Sequence, residues 1–132
     1  MFAKTVTYTD YNNVERTETF YFNLTKAEVL EMELGTIGGL SAMIQGVIDA
    51  KDTPQLIKIF KELVLKAYGE KSADGRRFIK TPQIAEEFSQ TEAYSEIFME
   101  LATDDKAASA FVEGITPKGL ENYAKPALSE VN

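Results

Sequence analysis

Residues 68–102 read YGEKSADGRRFIKTPQIAEEFSQTEAYSEIFMELA, and the predicted fold is organised around this stretch. We expect one helix to end where the stretch begins and two further helices to follow the polar turn DGRR at 74–77. Thr81 and Pro82 predict the first of these helix starts, because threonine caps free amide groups and proline suits the first helical position. The second helix, within 91–103, has apolar residues at the i, i+3, i+4 and i+7 spacing of a buried face.

The helix before this stretch is predicted to form the centre of the core. It starts with a second threonine–proline pair at 53–54. Its apolar stripe consists of Leu56, Phe60, Leu63 and Ala67. Gly69 is predicted to end the helix, since glycine is common just past a helix terminus. Residues 70–80 are predicted as a loop from which Phe78 and Ile79 dock onto the core.

Two stretches near the N-terminus, 2–9 and 14–24, are rich in threonine, valine and aromatic residues, as is typical of strands. The turn residues at 10–13 between them predict a β-hairpin. The side chains expected on its buried face are Val6, Tyr8, Phe20 and Phe22, and those expected to be more exposed are Lys4, Glu15 or Arg16, and Glu18. A two-stranded hairpin is marginally stable alone, so it must pack on the helices or pair with another chain.

Three more helices are predicted from local signals. A capping-box pattern at 25–28 predicts a helix over 26–34. A glycine-rich apolar segment predicts a further helix over 40–50. A last helix is predicted to be capped by residue 103 or 104 and closed by Gly114.

These elements predict a single domain of the α+β class that is mostly α. A β-hairpin within 1–24 packs on a bundle of about five short helices within 25–117. Residues 118–132 carry few large apolar side chains and are predicted to form a flexible C-terminal tail. The globular domain is therefore expected to span 1–117.

The chain has 132 residues, no cysteine, no histidine and a formal net charge of −7. These absences exclude disulfide scaffolds, thiolate nucleophiles, Ser-His-Asp triads and metal sites built on cysteine or histidine. The negative charge argues against a nucleic-acid partner, and no run approaches the ~18 apolar residues of a membrane span. We therefore expect an intracellular, non-enzymatic protein with no catalytic residues, no cofactor, no metal and no membrane partner.

Charge is concentrated in the C-terminal helices. Residues 82–113 contain eight acids and one base, which predicts a negative outer face. Glu92, Glu96 and Glu100 stand four residues apart and share one side of a helix. Such carboxylates can bind a hard cation, but three on one exposed helix rarely converge on a single ion. The pattern therefore favours a solvated face.

The adjacent Arg76 and Arg77 leave two interpretations open. Guanidinium groups bind phosphate or the carboxylates of a partner through paired hydrogen bonds. Alternatively, one or both pair within the chain with acids such as Glu70, Glu86 or Glu87.

Residues 65–117 contain sequence motifs that resemble those of a known family. The phrases are LKAYGEKSADGRRFIK, followed by EEFSQTEAYSEIFMELATDDKAASAFVEGITP. They resemble tail assembly chaperones of long, non-contractile-tailed bacteriophages and prophages of Gram-positive bacteria. None of these motifs is catalytic, so the similarity is one of sequence and of motif order.

The resemblance implies a helper of virion assembly that works in the host cell cytoplasm. Proteins of this family associate with the tape measure protein, keep it soluble and assist tail-tube assembly around it. The resemblance also implies absence from the mature virion, contact with the tail tube protein, and a longer form of the chain made by ribosomal frameshifting. Independently of the resemblance, the exposed edge of the hairpin leaves self-association open.

The residues predicted to contact a partner combine the arginine turn with adaptable apolar surface, and they are Arg76, Arg77, Phe78, Met32, Met43 and Ile44. Two alternatives to a chaperone stay open. One is a structural virion component, such as a tail tube or minor tail protein, which should be mostly β. The other is a small enzyme that depends on carboxylates or a metal.

Overall fold

The computed structural model describes residues 1–35 and 53–117, together with residues 49 and 51. This part of the chain forms one antiparallel sheet and five helices. The strands are β1 (Phe2–Thr9), β2 (Glu15–Phe22), β3 (Tyr68–Lys71) and β4 (Phe78–Ile79). The helices are α1 (Lys26–Gly35), α2 (Thr53–Ala67), α3 (Pro82–Ser89), α4 (Glu92–Thr103) and α5 (Asp105–Ile115). The α+β, mostly α class is therefore confirmed. Apart from residue 49, the predicted helix at 40–50 lies outside the described residues, as does the predicted tail at 118–132. The domain boundary at 117 stays a prediction.

Strands β1 and β2 form the predicted hairpin. They pair antiparallel from Phe2↔Phe22 to Thr9↔Glu15 without a break. The Asp10 carboxylate holds the turn by accepting hydrogen bonds from the backbone amides of residues 12 and 14, at 2.8 and 2.9 Å. The face predicted to be buried is confirmed. Val6 and Phe22 are buried, and Tyr8 and Phe20 are half-buried.

Lys4 corrects one prediction about this hairpin. It was expected to be exposed, but it is half-buried and shares the inward face with Val6, because alternate strand residues point to the same side. Its ammonium donates a 2.7 Å hydrogen bond to the Glu100 carboxylate on α4. The sequence pattern did not indicate this, since the two residues are 96 positions apart.

The segment predicted as a loop at 70–80 forms a second hairpin, so that prediction is wrong for its two ends. β3 pairs with β2 through Phe22↔Tyr68, and with β4 through Glu70↔Ile79. The sheet order is β1-β2-β3-β4. Strands of four and two residues are too short to show the alternation that identifies a strand in sequence. Phe78 and Ile79, which were predicted to dock onto the core, form β4 and pair with β3.

Gly69 also differs from its predicted role. It follows the end of α2 by two residues but lies inside β3 opposite Tyr21, and it does not adopt the positive φ of a glycine helix cap. A Cβ atom built on it would lie 2.7 Å from Phe78 Cε2 and 2.9 Å from the carbonyl oxygen of Ile79. The missing side chain is therefore what allows β4 to pack against β3.

The helix starts follow the predicted capping signals. Thr25 and Glu28 exchange reciprocal bonds, with the Glu28 amide 3.1 Å from Thr25 Oγ1 and the Thr25 amide 2.8 Å from Glu28 Oε1. Thr81 and Thr91 cap α3 and α4, each accepting a 3.1 Å bond from the amide three residues on. Asp104 caps α5 by accepting from two backbone amides. Helix α2 begins one residue earlier than predicted, at its threonine.

The core lies between the inward face of the sheet and the helices. Helix α2 was predicted as its centre and supplies more buried side chains than any other described element, namely Ile59, Phe60, Leu63, Val64 and Ala67. Phe22 from β2 and Phe111 from α5 are fully buried against each other, with ring centroids 5.5 Å apart. Of the stripe predicted on α2, Phe60, Leu63 and Ala67 are buried, and Leu56 is half-buried against the core.

Gly114 does not close the last helix, as was predicted, because α5 continues to Ile115. A Cβ atom on Gly114 would lie 2.7 Å from Phe2 Cδ2. The Phe2 ring also stands edge-on to Phe111, with centroids 5.5 Å apart. Glycine fits here because Phe2 of the first strand packs directly onto the helix backbone.

Lys80 links three segments just beyond β4. Its ammonium donates to the carbonyl oxygen of Asn23 at 2.6 Å and to both carboxylate oxygens of Glu28 at 3.0 and 2.9 Å. The two side chains are only 20% and 27% exposed. Burial by itself would raise the pKa of Glu28, but the Thr25 amide and the Lys80 ammonium together hold that pKa below its ordinary value.

Replacing Lys80 with methionine is expected to lower the free energy of unfolding by about 1–2 kcal/mol at pH 7, because a partly buried carboxylate and carbonyl lose their donor. Since the pKa of Glu28 is lowered in the folded state, its contribution is present above the ordinary value of 4.5 and is lost as the pH falls further. The difference between wild type and Lys80→Met should therefore shrink below that pH. Urea unfolding across pH 3–7 measures it.

Lys4→Met is the matched control for this prediction. The Lys4–Glu100 pair is more exposed, at 30% and 40% for the two side chains. Its loss should cost less than about 1 kcal/mol, because solvent screens such a pair. Equal costs for the two variants at pH 7 would contradict the linking role assigned to Lys80.

Candidate functional site

The turn between β3 and β4 presents the two adjacent arginines. The Asp74 carboxylate accepts from the Arg76 amide at 3.0 Å and from the Ser72 hydroxyl at 2.7 Å. These bonds hold the pKa of Asp74 below its ordinary value. The Ser72 hydroxyl accepts in turn from the Arg77 amide at 3.0 Å. Gly75 has a φ of 74°, a left-handed conformation that suits glycine. The backbone that carries the arginines is thus fixed by its own polar groups.

The guanidinium groups of Arg76 and Arg77 point outward from this turn. Both residues are exposed, and neither forms an ion pair with any residue in the described part of the chain. The pairing with Glu70, Glu86 or Glu87 that the sequence left open is not formed. Two unpaired cations side by side suit a carboxylate or phosphate of a partner.

Among the described residues, Phe78 is the one other predicted contact residue that lies next to this turn. Phe78 follows the arginines but is half-buried, with its ring against Gly69 and the Lys80 ammonium 5.7 Å from the ring centroid. Met32 is half-buried on α1 and packs against the core. Met43 and Ile44 lie outside the described residues. The structure therefore brings together Arg76, Arg77 and Phe78, and places Met32 on a separate element.

A groove between β1 and α4 was not predicted from the sequence. Its volume is about 380 Å³. Strand β1 contributes Lys4, Thr5, Val6 and Thr7, and helix α4 contributes Glu96, Ile97, Met99, Glu100 and Thr103. Side chains alternate between the two faces of a strand, so four consecutive residues can line one groove only if the backbone edge forms its wall. We refer to this feature as the β1–α4 groove.

Met99 gives the groove an apolar rim, with 55% of its surface exposed. An exposed methionine provides adaptable apolar surface for a partner. The only sequence signal was the carboxylates of α4 at four-residue spacing, with Met99 next to the last of them. That signal was read as a solvated helix face, because β1 and α4 are distant in the chain.

The three carboxylates of α4 differ in their partners. Glu100 is bound to Lys4, and Glu92 accepts a 2.9 Å bond from the Tyr11 hydroxyl, which raises the pKa of Tyr11. Glu96 is exposed and has no partner among residues 1–35 and 53–117. Within those same ranges, no three acidic side chains converge in a way that would hold a metal ion. The groove therefore offers one free negative charge beside apolar surface.

No helix of the described residues has the length and apolar character needed to cross a membrane.

Comparison with known proteins identifies one similarity. A family model described as phage tail assembly chaperone matches residues 1–131 of the chain. No curated protein and no solved structure matches it. The sequence motifs of residues 65–117 suggested the same family. The match extends well beyond them and includes the N-terminal hairpin and the β1–α4 groove.

Proposed function

Since the chain belongs to the phage tail assembly chaperone family, we propose that it binds the tape measure protein, keeps it soluble and assists assembly of the tail tube around it. Membership suggests a non-enzymatic role and implies binding to tail proteins. We further propose that the chain acts in the host cytoplasm and is absent from the finished particle. The tail tube protein and a frameshifted longer form of the chain are proposed as additional partners.

The observation that supports this proposal most is the β1–α4 groove. A long tape measure protein has apolar segments that would aggregate before the tube surrounds them. A chaperone for it needs an accessible surface that binds such segments and then releases them. The groove combines the exposed Met99 with an unpaired strand edge, and Glu96 and Glu100 line it. The eight acids of 82–113 favour solubility of the complex.

The alternative of a tail tube or minor tail protein receives less support. A tube subunit was expected to be mostly β. In the part of the chain that the structure describes, five helices outweigh four strands, two of which are short. No feature of the described residues specifically favours the structural role.

Co-expression of the chain with the tape measure protein of the same phage tests this proposal. We expect an affinity tag on the chain to recover both proteins as a complex. If the tape measure protein is equally soluble when expressed alone and no complex is recovered, the proposed function is wrong.

The arginine turn is tested in the same pull-down. The double variant Arg76→Ala/Arg77→Ala is expected to weaken the complex about tenfold or more, because charge-assisted hydrogen bonds contribute about 1.5–3 kcal/mol each. The matched control is Lys58→Ala/Lys61→Ala, which removes two exposed cations from α2. Equal binding by the two double variants would show that the turn is not part of the interface.

A further inference from the structure

The backbone hydrogen bonds of β1 can be assigned from the turn that follows it. The Asp10 amide donates to the Val14 carbonyl oxygen at 2.9 Å, so residues 10 and 14 form a hydrogen-bonded pair. Such pairs alternate with non-hydrogen-bonded pairs along an antiparallel ladder. The register from Thr9↔Glu15 to Phe2↔Phe22 then assigns the even residues of β1 to bonds with β2. The odd residues, Ala3, Thr5, Thr7 and Thr9, turn their amide and carbonyl groups away from β2.

The threonine side chains give independent support for this assignment. The hydroxyl oxygens of Thr5 and Thr19 are 2.9 Å apart, as are those of Thr7 and Thr17. Side chains approach most closely across non-hydrogen-bonded pairs. Both threonine pairs are therefore non-hydrogen-bonded pairs, as the assignment of the odd residues requires.

The outer edge of β1 is free in the described part of the chain. β1 is the first strand of the sheet order and pairs only with β2. No other backbone hydrogen bond of the described residues involves Phe2–Thr9. The strand has eight residues, no proline and no bulge, and its one charged side chain, Lys4, points inward and is bound to Glu100. An edge of this kind is a template for one more strand.

Helix α4, on the opposite side of the β1–α4 groove, determines which side chains an added strand can have. Side chains on the inward face of an added strand would point toward α4, where the free carboxylate of Glu96 and the exposed Met99 lie. The C-terminal helices to which α4 belongs, over residues 82–113, carry eight acids against one base. Charge complementarity therefore requires lysine or arginine, beside an apolar side chain, on that face of the incoming segment.

We propose that the free edge of β1 binds an extended, basic segment of the partner as a fifth strand of the sheet. Main-chain hydrogen bonds to Thr5 and Thr7 supply affinity, and the contacts with Glu96 and Met99 select alternate side chains of the segment. This inference rests on the proposed function, because the segment belongs to the tail protein that the chain binds.

Thr7→Pro tests the inference, with Thr17→Pro as its control. Proline removes the outward amide of Thr7 and leaves every backbone hydrogen bond between β1 and β2 in place. The 2.9 Å hydroxyl contact of Thr7 with Thr17 is lost in both variants, so it does not distinguish them. Thr17 is the cross-strand partner of Thr7, and its amide points to the edge of β2 that faces away from β1. Strand β3 pairs with Tyr21 and Phe22 on that edge and does not reach Thr17. The probe is an array of overlapping 15-residue peptides covering the tape measure protein, with thermal unfolding of both variants as a folding check.

We expect wild type to bind peptides with basic residues at alternate positions. Thr7→Pro should weaken that binding at least tenfold, and Thr17→Pro should change it less than twofold. Equal binding by the two variants would overturn the added strand. Loss of a wild-type dimer in Thr7→Pro, with peptide binding unchanged, would overturn it as well, because the edge would then pair with a second copy.

A charge reversal keeps the test decisive if Thr7→Pro does not fold. Glu96→Lys and the control Glu113→Lys change the net charge equally, and both residues are exposed. Only Glu96→Lys should weaken peptide binding, about tenfold, and equal binding by both would overturn the inference. If full-length tape measure protein still binds while no peptide does, the strand site is wrong and the proposed function stands. If neither binds, the proposed function fails too.

Discussion

Phe22→Ala is expected to lower the free energy of unfolding by about 3–5 kcal/mol, as is typical when a buried aromatic ring is deleted. The side chain is fully buried. Its ring lies 5.8 Å from Tyr68, 5.9 Å from Phe88 and 5.5 Å from Phe111, measured between centroids. It therefore joins β2 to β3, α3 and α5. Domains of this size have a stability of about 5–15 kcal/mol, so the variant should lose a large part of it.

Thr19→Ala is the control for this substitution, because it lies on the same strand but on the exposed outer face. Its loss should cost less than about 1 kcal/mol, the range of a single cross-strand pair. Urea unfolding followed by circular dichroism measures both variants. A cost below about 1 kcal/mol for Phe22→Ala would place the ring outside the core and contradict the packing of the sheet on the helices.

Gly69→Val is expected to cost about 3 kcal/mol, through overpacking. Its Cβ would lie within 2.7 Å of the Phe78 ring and within 2.9 Å of the Ile79 carbonyl oxygen. The second contact is with backbone, which cannot move without breaking the pairing of Glu70 with Ile79. The same shift would displace the turn that carries the arginines.

Ala73→Val is the matched control, since it adds the same kind of bulk to an exposed position of the turn that joins β3 to β4. It should change stability by less than about 0.5 kcal/mol. Thermal unfolding of the two variants separates the outcomes. If Gly69→Val is as stable as the control, β4 does not pack against β3 as described.

The features that could be predicted from the sequence depend on neighbouring residues. The capping bonds of Thr25, Thr81 and Asp104 involve groups within three positions of each cap, so a short motif was sufficient. The hairpin of β1 and β2 has long strands and a turn rich in aspartate and asparagine. Helix α2 showed its buried face through simple periodicity.

The wrong predictions involve partners that lie outside the local motif on which each prediction was based. Gly69 and Gly114 looked like helix ends, because the rings of Phe78 and Phe2 that require glycine there are not recognisable from local sequence. Lys4 looked exposed because its partner, Glu100, is 96 residues away.

The candidate site likewise contains features that were visible in the sequence and features that were not. Arg76 and Arg77 stood out in the sequence, and the structure shows both exposed and without an ion pair in its described ranges. The β1–α4 groove could not be predicted, because it exists only where the edge of one element meets the side of another. Charge concentration on α4 was visible, but its position beside an open strand edge was not.

The chaperone role is tested most directly by measuring the fraction of tape measure protein that stays in the supernatant after centrifugation. Purified chain is added in increasing amounts to tape measure protein diluted from denaturant. We expect the soluble fraction to rise with added chain, to reach a plateau at a fixed ratio of the two proteins, and to rise far less with Phe22→Ala. A soluble fraction that is the same with the chain as with an unrelated acidic protein of equal size would contradict the role.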